Sequence, residues 1–146
     1  MKSAVARWVG ILVVALSLQA ANADSTHVAV GGYDVVAYFT EGKAVRGSPS
    51  YELPFDDAKW QFANASHKDM FAADPDRYLP QYGGMCAGGM AIGMSVPANP
   101  ENWVIVDGKL YILSGSAADL AYCKAHAAEN IKAADKTWAE NAYKQP

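Results

Sequence analysis

The stretch WVIVDGKLYIL, residues 103–113, carries the strongest structural signal in this 146-residue chain. Two runs of β-branched and aromatic residues flank Asp107-Gly108, a pair suited to a tight turn between antiparallel strands. A weaker copy of the pattern lies upstream. YELPF (51–55) and KWQFA (59–63) alternate large apolar and polar residues on either side of a short acidic turn, and they too predict a hairpin. Between the two hairpins, SHKDMFAADPDRYLP (66–80) reads as helix, with Ser66 and Asp69 as a capping box and Asp74-Pro75 as a break. After the second hairpin, Ser116 and Asp119 form another capping box. Leu120, Cys123, Ala127, Ile131, Ala134 and Trp138 then follow at steps of three or four, one face of a C-terminal helix that breaks near Asn130. Before the first hairpin, Val35 to Phe39 is apolar and fits strand or short helix equally. SVPANPEN (95–102) reads as loop. No internal repeat is visible. The expectation is a small single α+β domain of antiparallel hairpins, a short central helix and a C-terminal helix packed over the sheet.

The N-terminus has a different character. Lys2 and Arg7 precede or adjoin the uncharged run WVGILVVALSLQA, and ANA follows at 21–23. This is the layout of a signal peptide cleaved after Ala23, and its apolar core is shorter than the ~20 residues that span a bilayer. Residues 24–146 then form the exported domain, expected in a periplasm. Removing two cations takes the formal charge from −3 to −5. With no basic run left, nucleic acid and anionic lipid are poor partners, and no membrane association is expected after cleavage.

The chain has two cysteines, too few for a disulfide scaffold. They allow one bridge or two free thiols. Cys86 lies in QYGGMCAGGM (81–90), among four glycines and between Met85 and Met90. A backbone this free can turn amide groups toward sulfur, which stabilises a thiolate. With the thioethers of Met85, Met90 and Met94, such a thiolate suits cuprous copper. Cys123 stands on the apolar stripe, where cysteine behaves as a small hydrophobe. His126 is one turn on, so Cys123 and His126 form a weaker candidate pair for zinc or copper. His67, at a helix start, reads as a solvated or capping residue. His27 is one place too late for a terminal copper clasp. Asp34, Asp56 and Asp57 look like scattered acids. No phosphate loop, nucleophile elbow or HExxH helix is present, so nothing local points to a hydrolase.

GGYDVVAYF (31–39), KWQFANASHKDMFAADPDRYLPQYGGMCA (59–87) and WVIVDGKLYIL together resemble the secreted branch of the YHS-domain family. The resemblance runs from Val28 to Leu113 and more loosely to Trp138. It implies a small metal-binding module. The family's ligand pattern, laid on this chain, puts its aromatic at Phe62, its first cysteine position at Ala63 and its second at His67, with Phe71, Pro75 and Tyr78 matching the helix that follows. One ligand position is thus lost and the other is a histidine. The secreted branch shares YGGxCA, here Tyr82 to Ala87, and in some relatives the position of Cys86 is selenocysteine, which implies a reactive chalcogen there. Cys123 and His126 stand outside the family pattern.

Three functional expectations follow. The first is a periplasmic metal-binding protein centred on Cys86, with His67, Met85 and Met90 as further ligands for copper or zinc, and a metal-donor or metal-acceptor protein as partner. The second is a thiol-redox protein with Cys86 as nucleophile, for which only Cys123 could resolve. The third is a non-catalytic interaction module.

Overall fold

The computed structural model describes residues 27–141, so the expected signal peptide over 1–23 lies outside the described residues. A 3-10 turn (Ala29–Gly32) leads into helix α1 (Val35–Thr40), hairpin β1 (Ser48–Phe55) and β2 (Ala58–Phe62), and helices α2 (Ala65–Ala73) and α3 (Pro75–Tyr78). A second 3-10 turn (Gln81–Gly84) leads into α4 (Ala87–Ala91), hairpin β3 (Asn99–Val106) and β4 (Lys109–Leu113), and helices α5 (Ala117–Ala125) and α6 (Ala127–Asn141). The α+β expectation holds, with both hairpins where the alternation placed them. They form two separate two-stranded antiparallel sheets, not one.

Several local expectations need correction. The α2 cap is Asn64, whose side chain accepts from the His67 amide, not Ser66. The ambiguous run at 35–39 is helix, because Asp34 caps it by accepting from the Val36 and Ala37 amides. The 95–102 segment is loop only to Ala98; Asn99 onward pairs as β3. The C-terminal helix breaks at His126 rather than near Asn130. Its longer part, α6, packs chiefly on α4, and its Ala134, Ile131 and Trp138 share a core with Met90, Tyr82 and, from the second hairpin only, Val104, Val106 and Tyr111.

The missed feature is a duplication. The same elements occur twice in the same order, and their pairings correspond. Val28 bridges Lys59 in parallel as Pro80 bridges Leu110, and Tyr33 bridges Arg46 as Met85 bridges Pro97. β1 skips register between Ser48 and Glu52, and β3 does so at the matching place, between Asn99 and Trp103. Val30 and Tyr82, the second residues of the two 3-10 turns, both have positive φ (49° and 57°), and each is followed by two glycines that do too. A β-branched or aromatic residue in that region is strained, and here the chain adopts it twice. The Gly pair is nearly all that the two turns share in sequence, because the positive φ angles alone demand it.

The halves differ in filling. The first is aromatic: Phe71 stacks on Trp60 with ring centres 5.2 Å apart and meets Phe62 (5.2 Å) and Phe55 (5.5 Å). At the position of Phe71 the second half has Cys123, and at that of Tyr38 it has Met90. The halves are joined by Tyr38, whose hydroxyl donates to the Pro100 carbonyl at 2.7 Å and whose ring packs on Trp103.

Candidate functional site: a thiol in a duplicated nest

Cys86 is the residue before α4, and its sulfur serves as that helix's cap. The Gly89 amide donates to Sγ at 3.3 Å, and the Ser114 amide and hydroxyl both donate at 3.1 Å. The Gly88 amide is also turned toward it. Gly89 has to be glycine, since a Cβ there would meet Val96 Cγ2 at 2.7 Å. The residue is 4 % exposed. Burial works to raise the thiol's pKa, but the hydrogen bonds from Ser114, Gly89 and Gly88 outweigh it and leave the thiol below its ordinary value.

The same cradle exists in the first half, around a different group. Asp34 precedes α1 as Cys86 precedes α4. Its Oδ1 accepts from the amides of Val36 (2.9 Å) and Ala37 (3.3 Å), the counterparts of Gly88 and Gly89. Its Oδ2 accepts at 2.9 Å from the amide of Ala63, the counterpart of Ser114. One backbone arrangement therefore holds a carboxylate in one half and a thiol in the other. The fourth donor to Asp34 is His67 Nδ1 at 2.6 Å. In the second half that fourth donor is the Ser114 hydroxyl.

Cys123 comes to the same place from α5. A Cβ on Gly88 would lie 3.3 Å from Cys123 Sγ and 3.8 Å from Cys86 Sγ, so both sulfurs border the space that this glycine leaves open. Both cysteines are free thiols. Cys123 is half-buried, and burial raises its pKa, with the neighbouring Cys86 and Asp119 adding to the effect. A cavity of about 20 Å³ opens beside Cys123, lined also by Gly88, Tyr111, Leu113 and Ile131 among others. That is room for about one water-sized molecule.

The other expected site residues lie differently. His67 is buried rather than solvated: Nδ1 donates to Asp34, and Nε2 sits 3.3 Å from Thr40 Oγ1 and 3.9 Å from Glu41 Oε1. It is built into the first half's nest, while Cys86 belongs to the second's. Met90 is fully buried in the core beside Tyr82 and Tyr111. Met85 lines a separate groove of about 460 Å³ with Trp60, Pro80 and Trp138, and Met94 is exposed. His126 is exposed, stacked on Tyr122 with Nδ1 against the Tyr122 carbonyl. Among the described residues, no three His, Cys, Asp or Glu side chains are grouped as a metal site. Ser114 and Asp34 are the residues missed, whereas the Gly88 and Gly89 amides turned toward the sulfur are what the glycine-rich segment predicts. Only Asp34 carried a signal, an N-cap residue directly before an apolar run. No family model, curated protein or solved structure matches the chain.

Proposed function

We propose that this chain is an exported thiol-redox protein of the secreted YHS type, working through the Cys86 thiolate with Cys123 as its resolving thiol. The leader-like N-terminus supports export to a periplasm, and the sequence resemblance supports the family. The observation that carries the function is the pair of free sulfurs that both border the space at Gly88, with opposite tuning: Cys86 hydrogen-bonded toward its thiolate, Cys123 pushed toward its thiol. Thiol exchange needs one such nucleophile and one such follower. The Cys86 thiolate attacks a disulfide of a partner molecule, forming a mixed disulfide and expelling one partner thiolate. Cys123, losing its proton, then attacks the Cys86 sulfur and expels the second. The partner gains two electrons and the chain is left with a Cys86–Cys123 bond.

The same two sulfurs favour a second reading, binding of cuprous copper, for which a pair of soft thiolates suffices. Zinc usually takes four ligands, so it needs ligands from a metal-donor or metal-acceptor partner. The test is mass spectrometry of the protein after equilibration in glutathione buffers of graded potential, repeated with cuprous copper. Loss of two hydrogens, abolished in both Cys86→Ser and Cys123→Ser, is the expected result. A one-to-one copper adduct, with no disulfide at any potential, would replace the redox reading with the metal one.

A further inference from the structure

The duplicated nest says more about Cys86 than that it ionises. A thiolate has one acceptor atom, whereas the nest that holds it is elsewhere in this chain filled by two oxygens. In the Asp34 copy, one oxygen takes the two helix amides and the other takes the amide that follows the hairpin. In the Cys86 copy the corresponding donors are all present, with the Ser114 hydroxyl in addition, and all converge on a single sulfur. A sulfinate has the charge and the two oxygens of a carboxylate. Gly88 and Cys123 line a cavity that admits a molecule of about water's size, and a Cβ on that glycine would lie 3.8 Å from Cys86 Sγ, so a small oxidant entering there is brought to the open space beside the sulfur.

We propose that Cys86 is a site of oxidation to the sulfinate by hydrogen peroxide. One oxygen is received by the Gly88 and Gly89 amides and the other by the Ser114 amide and hydroxyl. In the first step the thiolate attacks peroxide: an S–O bond forms, the O–O bond breaks, and the departing hydroxide takes up a proton to leave as water. The sulfur has lost two electrons and is a sulfenate. In the second step the sulfenate attacks another peroxide in the same way, giving the sulfinate and a second water. Cys123 competes for the sulfenate: its sulfur attacks Cys86, hydroxide leaves, and the disulfide results. Scarce peroxide therefore gives the disulfide and excess peroxide the sulfinate. This inference shares the thiolate of Cys86 with the proposed function but does not require the disulfide.

The protein and its Cys123→Ser variant are treated with graded hydrogen peroxide, and the Cys86 peptide is read by mass spectrometry. The expected result in the variant is a gain of two oxygen atoms that then plateaus, with addition of a third much slower. A companion variant, Cys86→Asp, places the first half's own group in the second nest and is expected to melt at or above Cys86→Ser. Progression to three oxygens without a plateau overturns the proposal. So does a Cys86→Asp protein that melts several degrees below Cys86→Ser. A disulfide in glutathione buffer with no sulfinate in peroxide overturns this inference and leaves the proposed function standing. A sulfinate without any disulfide does the reverse.

Discussion

Ser114→Ala removes one hydroxyl donor from Cys86 and little else. The Ser114 amide stays, because the backbone is held by the hairpin it leaves, and the serine is not part of either core cluster. A hydrogen bond to an ionised group contributes ~1.5–3 kcal/mol, and sulfur is a weak acceptor, so the low end applies. A loss of ~1.4 kcal/mol is about a tenfold fall in thiolate fraction at a pH below the thiol's midpoint. The assay is the pH dependence of Cys86 alkylation by iodoacetamide, in a Cys123→Ser background so that a single thiol reports. The variant's profile is expected to move to higher pH, with the rate near neutrality down about tenfold and the high-pH plateau unchanged. Stability should follow the same sign. A thiol whose folded pKa is depressed adds stability above the unfolded value of about 8.5, and that stability is lost as pH falls through the folded pKa. The parent should therefore exceed Ser114→Ala by more at alkaline than at mildly acid pH. Superimposed profiles, or a changed plateau with an unmoved midpoint, would refute the idea that the hydroxyl tunes the sulfur.

Gly88→Ala puts a methyl 3.3 Å from Cys123 Sγ and 3.8 Å from Cys86 Sγ; disulfide formation in a glutathione buffer should slow or stop, while urea stability stays level or gains up to ~1 kcal/mol from helix propensity in α4. Asp34→Ala strips the acceptor from three amides and from buried His67, and urea unfolding should show a loss of ~3–5 kcal/mol, the range for breaking a buried pair. Phe71→Ala removes the ring on which Trp60, Phe62 and Phe55 converge; it should cost ~3–5 kcal/mol by the same method yet leave the Cys86 alkylation profile in place, because the ring belongs to the other half's core.

The hairpins were legible because period-two alternation and Asp-Gly chemistry are local. The α5 capping box was legible for the same reason, Ser116 and Asp119 being one turn apart. The duplication was not, since what it conserves is backbone. VGGYDVV and YGGMCAG share only their glycine pair, yet both place two left-handed glycines and then a capping side chain. The cap itself changed from carboxylate to thiol, so residue type hid the correspondence. His67 misled because a helix-start histidine gives no sign of a partner thirty-odd positions back; that distance is closed only by the fold. Cys123 stands on an apolar stripe in the sequence, and from α6 that stripe does enter the core, through Ile131, Ala134 and Trp138. In α5, however, the helix turns after His126, and the sulfur meets Gly88 rather than a packed core.

That turn leaves α5 in an unusual position. None of its residues is fully buried, and Tyr122 is 62 % exposed. The equivalent α2 is anchored by Phe71 and His67. A segment with so little apolar burial detaches at a free energy well below that of global unfolding. Exchange of the α5 amides should therefore be fast beside that of β4, and the same opening, as a rapid pre-equilibrium, should scale the rate at which reagents modify Cys86 without moving the midpoint of its pH profile. Mild warming or low denaturant would then raise the reactivity of the thiol while the aromatic half of the molecule remains intact.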